Sequence, residues 1–251
     1  MSQSDARAAL VGGAAFWCTL ASWQAVGSAV GLSCATPLLA PLAGAFAVSS
    51  GVLAIEAACV VGLGLPSPEP AERAGYVACT LGLFQGTGGR FSSIFASDIL
   101  HPGAFARESL PAGVDYATPS ERRQVQALGS KFGCHSCGTR KTPTFIADHM
   151  PPIKLGRVHT SGFLGRFRKF PPQSFFPQCV DCSGIQAAVA REWKGRSSSS
   201  KLITHFLSVR PYHGVGTVVA VLMYRLQRQE NDELLEEQLE LFNSPERHDS
   251  S

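Results

Sequence analysis

"CHSCGTRKTPTFIADHM", Cys134–Met150, opens on a C-x-x-C pair and reaches Asp148-His149 eleven residues after Cys137. A second pair, "CVDC", follows at Cys179–Cys182. Structural zinc takes four nitrogen or sulfur ligands in a tetrahedron, and its thiolates commonly arrive in such pairs. The two-residue spacer folds a knuckle in which both sulfurs and the turn's amides face one ion. Gly138, directly after the first pair, suits a turn position that needs positive φ. Cys134, Cys137, Cys179 and Cys182 are therefore the expected ligands of one structural Zn2+. The loop between the pairs is 41 residues, longer than that of a simple zinc ribbon. The competing reading is two redox motifs, but neither pair sits in the strand-to-helix context that would support it.

Inside that loop, Phe145-Ile146-Ala147 reads as a short strand that ends in Asp148-His149 and is stopped by Pro151-Pro152. Two C-x-x-C pairs flanking such a strand resemble the HNH endonucleases, whose ββα-metal fold is a variant of the treble clef. The resemblance covers about residues 131–190, roughly a quarter of the chain. It implies a structural zinc on the four cysteines. It also implies a second divalent metal held by Asp148, with His149 as the general base that activates water. An imidazole near neutral pKa can take that proton, and a divalent ion can stabilise charge building on a phosphate. The chain departs from the family at two places. Ser183 stands after the last cysteine, where the family normally has Asn or His. Before the second pair, Gln173 and Gln178 are the only amides where the family usually has an orienting Asn. The alternative is structural: His149 bonds a carbonyl near the zinc and Asp148 caps a turn, as groups around zinc often do. His135, between the paired cysteines, is expected to face solvent.

Charge is distributed unevenly around this motif. From 130 to 210 there are 13 Lys and Arg against three acids. The stretch 153–176 interleaves Lys154, Arg157, Arg166, Arg168 and Lys169 with Phe163, Phe167, Phe170, Phe175 and Phe176. Basic groups near rings suit a nucleic-acid backbone with stacked bases. Beside a membrane they suit anionic headgroups, and the Phe residues could equally form a small core. From 229 to 250 the balance reverses, with eight acids and one Arg. There Leu226, Leu234, Leu235, Leu239, Leu241 and Phe242 lie among the acids, as in an amphipathic helix that could bind a protein partner.

The N-terminal quarter has a different character. No Asp, Glu, Lys or Arg occurs between Arg7 and Glu56, a run of 48 residues. A soluble domain rarely runs so far without charge, because its helices need a polar face. Residues 9–32 and 42–65 are each long enough to cross a bilayer as a helix. Pro37 and Pro41 supply the turn, and the abundance of Ala, Gly and Ser allows close helix approach. Glu56, within the second span, is either a functional acid or a paired one. The remaining cysteines, Cys18, Cys34, Cys59 and Cys79, read as small buried hydrophobes.

The segments 74–84 and 214–224 are apolar but short for spans. A helix is expected over "SERRQVQALGSKF", with Ser120 as its cap. The whole reads as an α-helical membrane hairpin (1–66) followed by a linker with mixed helix and loop (67–130). A small α+β zinc-binding treble-clef, ββα-metal-like domain (131–190) and a C-terminal helical region (191–251) complete it. Basic loops favour the cytoplasmic or matrix face, so an integral membrane protein would carry its zinc domain there, with both termini on the same side. Two functions follow: a binding or scaffolding module at a membrane surface, contacting lipid, or a membrane-tethered nuclease using Asp148 and His149. A transporter built around Glu56 would need more spans.

Overall fold

The computed structural model describes residues 2–113, 115–153, 172–192, 202–203 and 211–243. The basic, Phe-rich stretch expected at 153–176 lies outside the described residues over 154–171, as does the tail after Asn243. The chain divides into two units. One comprises Met1–Leu20, Val48–Gly88 and Arg210–Ser251, and the other Ala21–Ala47 and Gly89–Val209.

The first unit is helical. It contains the first part of α1 (Gln3–Ala29), the last part of α2 (Leu39–Leu63), α3 (Pro70–Gly86) and α6 (Val215–Asn243). The two expected apolar helices thus form, within a few residues of the expected bounds. Glycines set their packing. A Cβ on Gly51 would fall 2.6 Å from the Phe16 ring, and one on Gly62 would fall 3.5 Å from Val11. These pairings run antiparallel. α6 meets α1 in the same manner: a Cβ on Gly12 would lie 2.4 Å from that of Ala220. Backbones come this close only where side chains are small. The Arg225 guanidinium clamps Asp5 at 2.8 Å near the start of α1.

α6 joins two segments that the sequence suggests separately, the apolar run 214–224 and the acidic amphipathic stretch. No proline interrupts Val215–Asn243, so the helix continues through the change in polarity. α3 likewise runs on both sides of its short apolar stretch. Pro70 opens it, and Glu69 and Glu72 form a reciprocal capping box.

α1 and α2 are long and apolar enough to cross a membrane. Of their most apolar windows, only 17% and 39% of residues are buried. Leu10, Leu42, Phe46, Leu53 and Val61 are all exposed. A helix that forms the core of a water-soluble protein hides such side chains.

The second unit holds the sheet. β2 (Leu110–Ala112), β4 (Gln173–Cys179) and β3 (Phe145–Met150) form a three-stranded antiparallel sheet in that order. β1 (Ser97–Asp98) and β5 (Leu202–Ile203) form a separate two-stranded pair. α4 (Pro119–Phe132) and α5 (Val180–Glu192) complete the unit, together with the turn between α1 and α2. Ser120 is not the cap of α4. Pro119 occupies the first helical turn, and Thr118 outside it accepts from the Glu121 amide at 3.3 Å. Proline is pre-organised for the first turn, and this moves the cap one residue upstream of it.

One sheet face packs on α4. A Cβ on Gly129 would lie 2.3 Å from the Phe145 ring, so the ring rests directly on the helix backbone. Phe145, Phe175, Val125 and Ala117 share one small core with the four paired cysteines.

Candidate metal centre

The first knuckle is a backbone construction. α4 ends at Gly133 with φ +85°. The Cys134 amide donates to Thr139 O at 2.9 Å, and the Gly138 amide donates back to Cys134 O at 2.8 Å. Gly138 has φ +74°, the left-handed value that the turn requires and that its sequence position suggested. The second pair straddles a junction. Cys179 is the last residue of β4, opposite Phe145, and Cys182 lies in the first turn of α5.

The 41-residue loop is closed by the β3–β4 ladder, which brings the two pairs together. All four Sγ atoms are buried and lie within 4.8 Å of one another. Cys137 Sγ and Cys179 Sγ are 3.7 Å apart. A tetrahedral ion with metal–sulfur bonds of about 2.3 Å needs sulfurs about 3.8 Å apart. The donor set therefore fits a metal ion such as zinc. Four crowded thiols also divide their protons. Hydrogen bonds centred on Cys134 pull Cys137 and Cys179 well below the usual thiol range, while Cys134 and Cys182 are pushed above it by their sulfur neighbours. Thiolate is the form that ligates metal.

Asp148 and His149 do not share a site. Successive strand residues point to opposite faces. His149 lies opposite Phe175 in the register, packs edge-on against its ring at 4.4 Å and donates from Nε2 to Asp115 O at 3.0 Å. Asp148 turns to the other face. Its Oδ1 accepts from Gln186 Nε2 at 2.9 Å, and its Oδ2 lies 3.2 Å from His135 Nε2.

His135 is the main correction to the sequence reading. It is 1% exposed, not solvent-facing. Its Nδ1 accepts from the Gly103 amide at 3.0 Å. A neutral imidazole that accepts at Nδ1 carries its proton on Nε2, and Nε2 lies 3.3 Å from Ser136 Oγ. Its approach to Asp148 Oδ2 lies off the N–H direction, and Oδ2 accepts no hydrogen bond, so the pair is close without being bonded. Gln178 extends the network. Its Nε2 donates to Gln186 Oε1 and to Ser136 Oγ, the latter at 3.2 Å. The His135 amide donates to Pro177 O at 2.8 Å, and the Phe105 amide to His135 O at 2.9 Å. One buried polar network therefore ties the first knuckle to β3, β4, α5 and the loop at Gly103. Gly103 fits because a Cβ there would lie 2.6 Å from His135 O.

The amides noted in the sequence have separate employment. Gln173 donates to Pro151 O at 2.6 Å, and Gln178 belongs to the network. Ser183 lies within α5. The strand period could have separated Asp148 from His149 in advance. Nothing in the sequence marks His135 or Gln186 as their neighbours, because that contact depends on how the 41-residue loop closes.

Glu56 is paired. Arg73 reaches it with both Nε and Nη2 at 2.7 Å, and Ser67 Oγ adds a third hydrogen bond at 2.9 Å.

Compared with known proteins, the chain matches no family model, no curated protein and no solved structure.

Proposed function

We propose that this chain is a membrane-anchored zinc protein. Its α1–α2 pair is the anchor, and its cysteine-centred domain is a binding or scaffolding module at the membrane surface. The observation that carries this reading is the cluster of four buried sulfurs within 4.8 Å of one another. The exposed apolar faces of α1 and α2 support the anchor. The order of knuckle, β3–β4 ladder and α5 supports a treble-clef reading of the domain. Asp148 and His149 support a binding module over a hydrolytic one. They point to opposite sheet faces, and Asp148 is engaged by Gln186 and His135. The basic residues Lys154, Arg157, Arg166, Arg168 and Lys169 of the segment 153–176 meet anionic lipid headgroups, with nucleic acid as the competing ligand, whereas Phe175 belongs to the core. The acidic part of α6 is the surface for a protein partner. The excess of positive charge over 130–210 supports the cytoplasmic or matrix face for the module.

The test is the metal inventory of the full-length chain purified in detergent, measured beside Cys182→Ser and His149→Ala. The reading expects one zinc per chain, lost in Cys182→Ser and kept in His149→Ala. A second bound metal that disappears in both His149→Ala and Asp148→Ala would replace it with the nuclease reading. No metal at all would sink both.

A further inference from the structure

α1 has 27 residues. At 1.5 Å per residue it is about 40 Å long, against a hydrocarbon core of about 30 Å. If α1 crosses a membrane, about 10 Å of it stands outside. Within the second unit, residues 89–98 pack on the end of the hairpin that turns. A Cβ on Gly27, two residues before α1 ends, would lie 2.4 Å from the Phe95 ring. A Cβ on Gly44, in the second turn of α2, would lie 2.0 Å from Phe91 O. In the turn itself, the Cys34 amide donates to Ala96 O at 2.9 Å. Ser33 Oγ donates to Asp98 Oδ2 at 2.8 Å, and this bond is buried. Cys34 Sγ lies 3.7 Å from Ser97 Oγ. Trp23 and Phe46, in edge-on contact at 5.4 Å, come just before this surplus. Paired aromatics at that depth suit a membrane–water boundary.

Resting on the anchor proposed above, we infer that the cysteine module stands on the membrane face where α1 and α2 turn. Residues 2–8 and 64–69 stand on the opposite face. Counting two spans gives the other answer, with the module beside both termini. The stitched turn excludes that answer, because a module held to residues 33–34 cannot also sit at the far end of α1. The chain must then return between residues 69 and 89. α3 is the segment available; its stretch 74–84 is uncharged, and its 17 residues extend about 25 Å. Arg225 of α6 pairs with Asp5, so the acidic part of α6 begins on the N-terminal face. With the basic module on the cytoplasmic or matrix side, both termini are on the other side.

The experiment uses the full-length chain in intact cells or sealed vesicles. Cys18, Cys34, Cys59 and Cys79 are replaced by Ala, and the metal-binding four are kept. One exposed position is then made cysteine at a time: Gln3→Cys, Ser109→Cys or Asp232→Cys. A membrane-impermeant maleimide is applied from one side, and labelling above the parent is read. We expect Ser109→Cys to label from one side only, with Gln3→Cys and Asp232→Cys silent until detergent is added, or the reverse pattern in inverted vesicles. Labelling of all three from the same side, in a chain that resists alkaline carbonate extraction, overturns this topology and leaves the anchor intact. Release of the chain by carbonate overturns the anchor itself.

Discussion

The sheet unit and the helical unit solve the problem of a small core in different ways. The sheet unit has few large apolar residues at its centre and makes up the difference with four cysteines and a buried polar network. Its stability therefore sits at points. The helical unit has no such centre. It packs Phe16, Ile55, Phe84 and Met223 among glycine and alanine contacts spread along α1, α2 and α6, and it leaves other large apolar side chains outside. In water that surface is a liability, and in lipid it costs nothing. The contrast predicts that the sheet unit fails on loss of a metal and the helical unit on a change of solvent, each under conditions the other tolerates.

The largest test of this contrast is metal removal. Structural zinc supplies on the order of 10 kcal/mol of apparent binding energy to small domains near neutral pH. Chelation, or Cys134→Ser, should unfold β2–β4 and α5 while leaving the helicity of α1 and α2. Hydrogen exchange read segment by segment measures this, and protection that survives in β3 and β4 would break the contrast.

Next in size is His135→Ala. It removes the acceptor of the Gly103 amide and the ring that lies beside Asp148. An orphaned buried group of this kind costs about 1–3 kcal/mol. Loss of such outer support weakens metal binding about 10- to 100-fold. Competition with a coloured chelator reads the affinity. An unchanged value would show that the network and the metal site are independent.

The helical unit is probed by Gly12→Leu, which drives side-chain atoms into Ala220. Overpacking of this kind costs about 1–3 kcal/mol. The expected result is a lower thermal midpoint for helix loss in detergent, with the zinc content unchanged.

The smallest effect belongs to the cap of α4. Thr118→Ala should cost about 1 kcal/mol. The same cap carries a pH signature. Hydrogen bonds from the Thr118 amide and hydroxyl hold the Glu121 carboxyl below its ordinary value. A carboxylate depressed by folding stabilises above its unfolded pKa, and that contribution is lost as pH falls through the folded one. Acid titration of the wild type and Glu121→Gln should therefore converge below that point and separate above it.

Much of this was readable in the residues, and what was not has a common cause. The cysteine quartet, Gly138, the two apolar helices and the β3 strand all follow from spacing and composition. Local chemistry misassigned one cap, because Pro119 takes the position that Ser120 would need in order to lie outside the helix. The fused α6 was hidden by a change in polarity without a break in helix propensity. His135, Asp148 and Gln186 were out of reach for a different reason. Their meeting depends on closure of a loop, and neither a period nor a spacing encodes it.

Cys179 has one more consequence. It closes β4 and faces Phe145, the first residue of β3, so the candidate ion sits at one end of the β3–β4 ladder. It is the stop at the end of a zipper. With the stop in place, fraying can begin only from the Met150–Ser174 end. Without it, the ladder can open from both ends, and the six paired positions lose the end that shields the Phe145 ring. The supply of that ion would then set the direction in which this sheet comes apart as well as its stability.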